Sequence, residues 1–272
     1  MNKDESVSNA VASGKFRWRS HEISRIEGLS DAVFAFAITL LVVSLEVPHT
    51  FNELAATMRG FGAFAICFVL LFVVWFQQYK FFRRYGLQDT KTVVLTGALL
   101  FVVLFYVYPL KFLFSSLVDR IIGGHTEVTL PNGIVEAVIE RDQVGSLMLI
   151  FGVGYFAVFA VFVLLYLHAY HKRAELQLNE LEVFDTRSSI QENAMNCLVA
   201  VISISLVVFG RPGFAGLSGM AYMLTGVALA VHGTIMGRRR GRMERQQRSA
   251  KELDERKAPP SLDSDGNHDN DS

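Results

Sequence analysis

Arg25, Glu27, Ser30 and Asp31 crowd the entrance of an apolar run that reads AVFAFAITLLVVSLEVP from Ala32 to Pro48. The run is long enough to span a bilayer, and a charge carried into hydrocarbon costs about 2.5 to 3.5 kcal/mol even on the lenient insertion scale. Asp31 therefore needs polar partners on other helices or in water, and a functional role is the default expectation for it. Thr39 stands midway along the same run and Glu46 at its far end. His232 falls inside a later apolar run, where an interhelical hydrogen bond is the simplest account of its ring. His168 and His171 precede Lys172 and Arg173 and read as residues of a membrane boundary. Cys67 and Cys197 sit in apolar runs without metal-ligand spacing and read as small packing residues. No glycine-rich phosphate loop, zinc-binding histidine pair or nucleophile elbow occurs. The expectation is a protein that is not an enzyme, uses no cofactor or metal, and binds no nucleic acid.

The elements that must position these residues follow from hydropathy. Apolar types make up 51% of the 272 residues and charged types only 19%, below the quarter usual in soluble domains. Six apolar runs, about 28 to 47, 61 to 79, 92 to 117, 145 to 169, 190 to 209 and 213 to 236, each have the roughly 17 to 25 residues that a spanning helix requires. The fold class expected is an all-α membrane protein with six transmembrane helices per subunit.

Net charge is zero, so the distribution of charge carries the information. Lys15, Arg17, Arg19 and Arg25 precede the first run; Lys80, Arg83, Arg84 and Lys91 separate the second and third; Lys172, Arg173 and Arg187 separate the fourth and fifth. Six arginines between Arg238 and Arg248 follow the last. The alternate loops are poor in cations. By the positive-inside rule both termini are cytoplasmic, which only an even number of spans allows. The N-terminal stretch lacks the apolar core and cleavage site of a signal peptide, so the first span is expected to be retained.

Ser24 and Glu27 form a capping-box pattern that starts the first helix ahead of Arg25, and Ser189 with Glu192 repeats it before the fifth span. Pro48 and Pro212 act as breakers, the second in a short hairpin link. The loop 118–144 has a turn at Pro131-Asn132-Gly133 and a short amphipathic piece from Ile134 to Ile139. In the last span Ala215, Gly219, Gly226, Ala230, Gly233 and Gly237 share roughly one face, which reads as a seam for close helix packing. Three segments result: 1–23, a disordered cytoplasmic N-terminus; 24–237, the six-helix membrane domain; and 238–272, a basic and then acidic disordered cytoplasmic tail.

Projected at 100° per residue from Phe36, the first helix places Leu29, Ala32, Leu40, Val43 and Val47 within about 40° of one line, with Thr39 and Glu46 just outside it. Asp31 falls about 140° away. The helix thus has one apolar stripe and, opposite it, a polar spot near its inner end. The segment Gly152-Val153-Gly154-Tyr155-Phe156 is similar to a carbonyl selectivity filter, but it lies in the middle of a continuous apolar run with no break to turn carbonyls toward an ion. These glycines read as packing residues.

The stretch Arg25 to Asp31, continued by V-F-A-x-A-I-T-L-L-V, resembles the first-helix signature of the prokaryotic branch of the transmembrane-protein-175 family of potassium channels: an Arg, three residues, then Phe-Ser-Asp. The six-span layout and Trp75 extend the resemblance over roughly residues 20 to 236. It implies a homotetramer in the lipid bilayer with the first helix of each subunit lining a central pore, potassium ions as cargo, and a hydrophobic constriction in place of a carbonyl filter. Carried over by position, Phe36 forms the constriction, Thr39 supplies a hydroxyl, and Val43 is the next pore-facing residue, with Leu40 beside them and Glu46 at the outer mouth. Arg25, Ser30, Asp31 and Trp75 serve as the structural motif that holds the helix. Leu29 replaces the signature phenylalanine, Phe36 replaces an isoleucine or leucine, and Gln78 stands where a histidine is expected. The expected function is a potassium-preferring leak channel of the cell membrane; the alternative is a secondary transporter or proton-coupled exporter using Asp31 and His232.

Overall fold

The computed structural model describes residues 16–19, 22–43, 49–122, 127–129, 135–140, 143–210 and 215–257. Among them the chain forms seven helices and one small hairpin: α1 (Arg25–Val43), α2 (Phe51–Arg59), α3 (Phe61–Tyr85), α4 (Thr90–Ile122), β1 (Glu127–Thr129), β2 (Val135–Ala137), α5 (Gln143–His171), α6 (Glu180–Phe209) and α7 (Ala215–Lys257). Helices α3 to α7 are long and apolar enough to cross a membrane; α1, whose described turns include Arg25, Glu27 and Asp31, does not meet that measure. The all-helical membrane architecture expected from hydropathy is the one observed, with the antiparallel pair β1–β2 added in the 118–144 loop. The Pro131-Asn132-Gly133 turn and Pro48 lie outside the described residues.

Consecutive long helices pack on one another: α3 on α4, α4 on α5, α5 on α6 and α6 on α7, while α1 lies against both α3 and α4. The core therefore sits among α1, α3, α4 and α5. Phe34 and Leu41 of α1 belong to one buried cluster with Phe81, Leu99, Val107, Phe162 and Leu165, all essentially removed from the surface. Phe81 stands edge-on to Tyr166 at a centroid distance of 5.4 Å, a geometry that suits the ring quadrupoles. Outside this core the helices carry large exposed apolar side chains, among them Phe101, Phe105, Ile150, Leu198 and Val208, as hydrocarbon surroundings permit.

Local signals explain most helix ends. Ser24 and Glu27 do form the reciprocal cap: the Ser24 amide donates to Glu27 Oε2 at 2.8 Å and the Glu27 amide to Ser24 Oγ at 3.3 Å. Helix α3 stops at Gly86, whose left-handed φ of 60° lets its amide bond the Phe82 carbonyl. Gly152 and Gly154 lie within the unbroken α5, and a Cβ at Gly154 would collide with the ring of Tyr106. Their role is close packing.

Three expectations change. The cap that opens α6 is Asn179 with Glu182, ten residues before Ser189 and Glu192, because Gln177 already takes a left-handed φ of 48° and turns the chain there. The basic stretch after residue 237, expected to be disordered, continues α7 as helix to Lys257; its Arg, Gln, Glu and Lys residues favour helix, and Arg240 and Gln247 bond Asp185 and Glu180 of α6. Finally, Phe16 to Arg19, part of the stretch expected to be disordered, form an ordered strap. The Arg19 amide bonds the Arg83 carbonyl at 3.0 Å, and Phe16 stacks edge-on against Tyr85 at 5.5 Å.

Candidate functional site

Helix α1 is packed along one edge and open along the other. Glu27, Ser30, Phe34, Ala37 and Leu41, spaced three and four residues apart, are buried against α3 and α4. On the opposite side Leu29 is 54% exposed and Phe36 57% exposed, with Ala32 and Thr39 exposed between and beyond them. Leu40 is only half-buried and touches the core, Val43 ends the described helix, and Glu46 lies outside the described residues.

The packed edge is held by polar bonds as well as by apolar contact. Trp75 Nε1 donates to Asp31 Oδ1 at 2.7 Å, so the carboxylate in the apolar run has the interhelical partner it needs. Gln78 Nε2 donates to Ser30 Oγ at 3.0 Å, and Ser30 Oγ donates in turn to the Ile26 carbonyl at 2.7 Å. Toward the other end Lys111 Nζ of α4 donates to the Leu41 carbonyl at 2.8 Å. Asp31, Ser30 and Trp75 are thus brought together, whereas Arg25 is exposed at the first turn.

Thr39 keeps its hydroxyl proton on its own helix, donating to the Ala35 carbonyl at 2.9 Å. With the proton so directed, its oxygen lone pairs remain as acceptors on the open side of α1. Phe36 precedes it by one turn and projects from the same face.

Sequence reasoning passed over Lys111 and the strap. A lone lysine within the run 92 to 117 was the available signal, since such a charge must find a partner. By sequence Arg19 reads only as a topology charge, yet it reaches Glu182 at 2.6 Å and the Leu176 carbonyl at 3.1 Å. Glu182 is 2% exposed and also accepts from the amides of Arg17 and Asn179. The strap immediately before α1 is therefore tied to the α5–α6 turn. His232 Nε2 lies 3.4 Å from Gln191 Oε1, an interhelical contact, and His168 Nε2 lies 2.7 Å from Asp89 Oδ2.

Partial burial pushes the Asp89 carboxyl up, but hydrogen bonds from Thr92 and His168, with the charges of His168 and Lys172, outweigh it and hold the group below the usual carboxylate range.

Fold and site together define a multi-pass helical membrane protein organised around a first helix that is clamped on one edge and open on the other. Residues 25–106 match the family described as the endosomal/lysosomal potassium channel TMEM175. A protein of Marivirga tractuosa described as a potassium channel is 42% identical over 237 residues, covering 84% of this chain and 93% of that protein. A potassium channel of Chamaesiphon minutus is 31% identical over 105 residues, 36% of this chain and 52% of that one. Among solved structures, a variant of the potassium channel MtTMEM175 bound to a nanobody–MBP fusion protein superposes with a TM-score of 0.71 at 42% identity, over 82% of this chain and 97% of its own. The chain belongs to the TMEM175 family.

Proposed function

We infer that this chain assembles as a homotetrameric, potassium-preferring leak channel of the cell membrane, with both termini cytoplasmic and the residues 24–237 forming the membrane domain. It is a conductor of ions and not an enzyme. The four copies of α1 turn their open faces to one axis, and ions pass a dehydrating constriction made by Phe36 and Val43, with Leu40 at its margin. Thr39 oxygens replace part of the lost hydration, and Glu46 raises the cation concentration at the outer mouth. Arg25, Ser30, Asp31 and Trp75 hold the helix rather than touch the ion.

The observation that carries this reading is the opposition of faces on α1: Ser30 and Asp31 bonded to Gln78 and Trp75 on one side, Phe36 and Thr39 exposed on the other. Lipid exposure of the second face would not require the first to be so heavily anchored. The potassium-channel relatives support the choice of cargo. The test is flux from liposomes carrying the purified chain: potassium uptake above empty vesicles is expected, and its absence rejects the channel. Saturable flux driven by a pH gradient would instead indicate a transporter.

A further inference from the structure

At the Arg25 end of α1, beside the Ser30–Gln78 and Asp31–Trp75 bonds, a cavity of about 200 Å3 opens between α1 and α3. Glu27, Ser30, Asp31, Gln78, Tyr79 and Arg83 line its polar part. Its chemistry is lopsided toward acceptors. Gln78 is 2% exposed; its amide nitrogen is used on Ser30, and its Oε1 is buried without a hydrogen-bond partner. Glu27 is 8% exposed, and among the described residues no cation stands within ion-pair distance of its carboxylate. One of its oxygens caps the Ser24 amide, and the residue lines the cavity. Asp31, one helical turn on, has one oxygen on Trp75. Asp31 is open to solvent, but a carboxylate as buried as that of Glu27 is ordinarily paired or bound to a cation, and a buried amide oxygen left alone costs about 1 to 3 kcal/mol.

We propose that this cavity binds one monovalent alkali cation, held by Glu27, Asp31 and the Gln78 amide oxygen. Charge bears on the valence: among the described residues that line the cavity, the carboxylates of Glu27 and Asp31 and the guanidinium of Arg83 sum to one negative charge, which a monovalent ion neutralises and a divalent ion would overshoot. The donors are all oxygens, the ligand type of hard cations. Arg83 lines the cavity with its guanidinium over the Tyr79 ring at 5.4 Å and makes no ion pair with Glu27 or Asp31 among the described residues. The bound ion links α1 to α3 beside the existing polar bonds and stands apart from the open face of Phe36 and Thr39.

Thermal unfolding of the purified full-length protein in detergent tests the site, in potassium, sodium or N-methylglucamine chloride at equal ionic strength. An alkali cation at ten times its dissociation constant should raise Tm by about 3 to 5 °C over N-methylglucamine. Glu27→Gln, which retains an oxygen for the Ser24 cap, and Gln78→Leu should each abolish the rise, while Thr39→Ala should keep it and so separate this ion from any in a pore. Should Gln78→Leu fail to fold, a rubidium soak of crystals of the parent protein decides, with an anomalous peak expected between Glu27 and Gln78. Equal Tm in the three salts, a rise that survives Glu27→Gln, or rubidium absent from the cavity overturns the proposal. Each of these outcomes is independent of the liposome flux, so the channel reading stands or falls separately.

Discussion

The first and last helices both expose large apolar side chains, yet they do so in different ways. Helix α1 is open along one face and fastened along the other by Ser30, Asp31 and the Lys111 bond to its backbone. Helix α7 is packed on α6 through Ser218 and Thr225 but open along its glycine positions: a Cβ at Gly226, Gly233 or Gly237 would meet nothing within 4 Å, so the expected packing seam of small residues is not filled there inside the subunit. Its attachments are spread along its length, from the Ser203 hydroxyl on the Ser218 carbonyl at 3.2 Å and Tyr222 against Phe151 to Arg240 on Asp185 at 2.9 Å, and its two ion pairs lie at the far end. In a membrane protein exposed apolar area by itself says only that water is absent. Polar anchoring on the opposite face says that the orientation of a helix matters, because each such bond costs desolvation that lipid contact alone would not demand.

The two arginine–carboxylate pairs sharpen this contrast most strongly. Arg19 and Glu182, with side chains 11% and 3% exposed, fasten the strap that leads into α1; Glu182→Ala should cost about 3 to 5 kcal/mol in unfolding measurements, because it strands a buried guanidinium. Arg240→Gln at the more open α7 pair should cost about 1 kcal/mol or less. Equal costs would remove the distinction between the two helices.

Next in size is a comparison of two similarly exposed apolar residues. Phe36→Ala on α1 should change potassium flux by about tenfold, equivalent to roughly 1.4 kcal/mol in the barrier, whereas Leu224→Ala on α7 should leave it within about twofold. Comparable effects at both sites would place the permeation path elsewhere. A smaller effect is expected at Thr39. Its replacement by Ala should reduce potassium over sodium preference by about two- to fivefold, about 0.4 to 1 kcal/mol, with Ser restoring it, as ion-replacement flux would record. Unchanged preference would remove the hydroxyl from selectivity.

The smallest effect lies where neither helix takes part. The folded Asp89 carboxyl titrates below its ordinary value, so its contribution to stability is present above the unfolded pKa of about 3.9 and disappears as pH falls through the lower folded value. Asp89→Asn should therefore destabilise the protein by about 1 kcal/mol or less near neutrality, a deficit that closes below about pH 4 in a pH series of unfolding midpoints. A deficit that persists in acid would mean that the His168 and Thr92 contacts act without the charge.

Much of this organisation was legible in residue order. Apolar runs locate α3, α4 and α5 to within a few residues, since hydrocarbon selects length and composition directly. The Ser24–Glu27 cap was readable because both partners lie three residues apart. The Asn179–Glu182 cap was missed because a second, similar pair ten residues later stood closer to the apolar run. In residue order Gln78 stands out only as a departure from a family pattern. That its nitrogen meets Ser30, 48 positions away in the chain, while its oxygen is left buried without a partner depends on the placement of α3 beside α1.

Sequence alone determined the membrane class, the helix count in the apolar runs and the family signature, all of which depend on local composition and short spacing. Tertiary structure decided which face of α1 is fastened, that Glu182 anchors the strap before it, and that α7 runs on as helix to Lys257. Those outcomes rest on hydrogen bonds and ion pairs between distant residues, whose strength is set by distance and desolvation once the helices have packed.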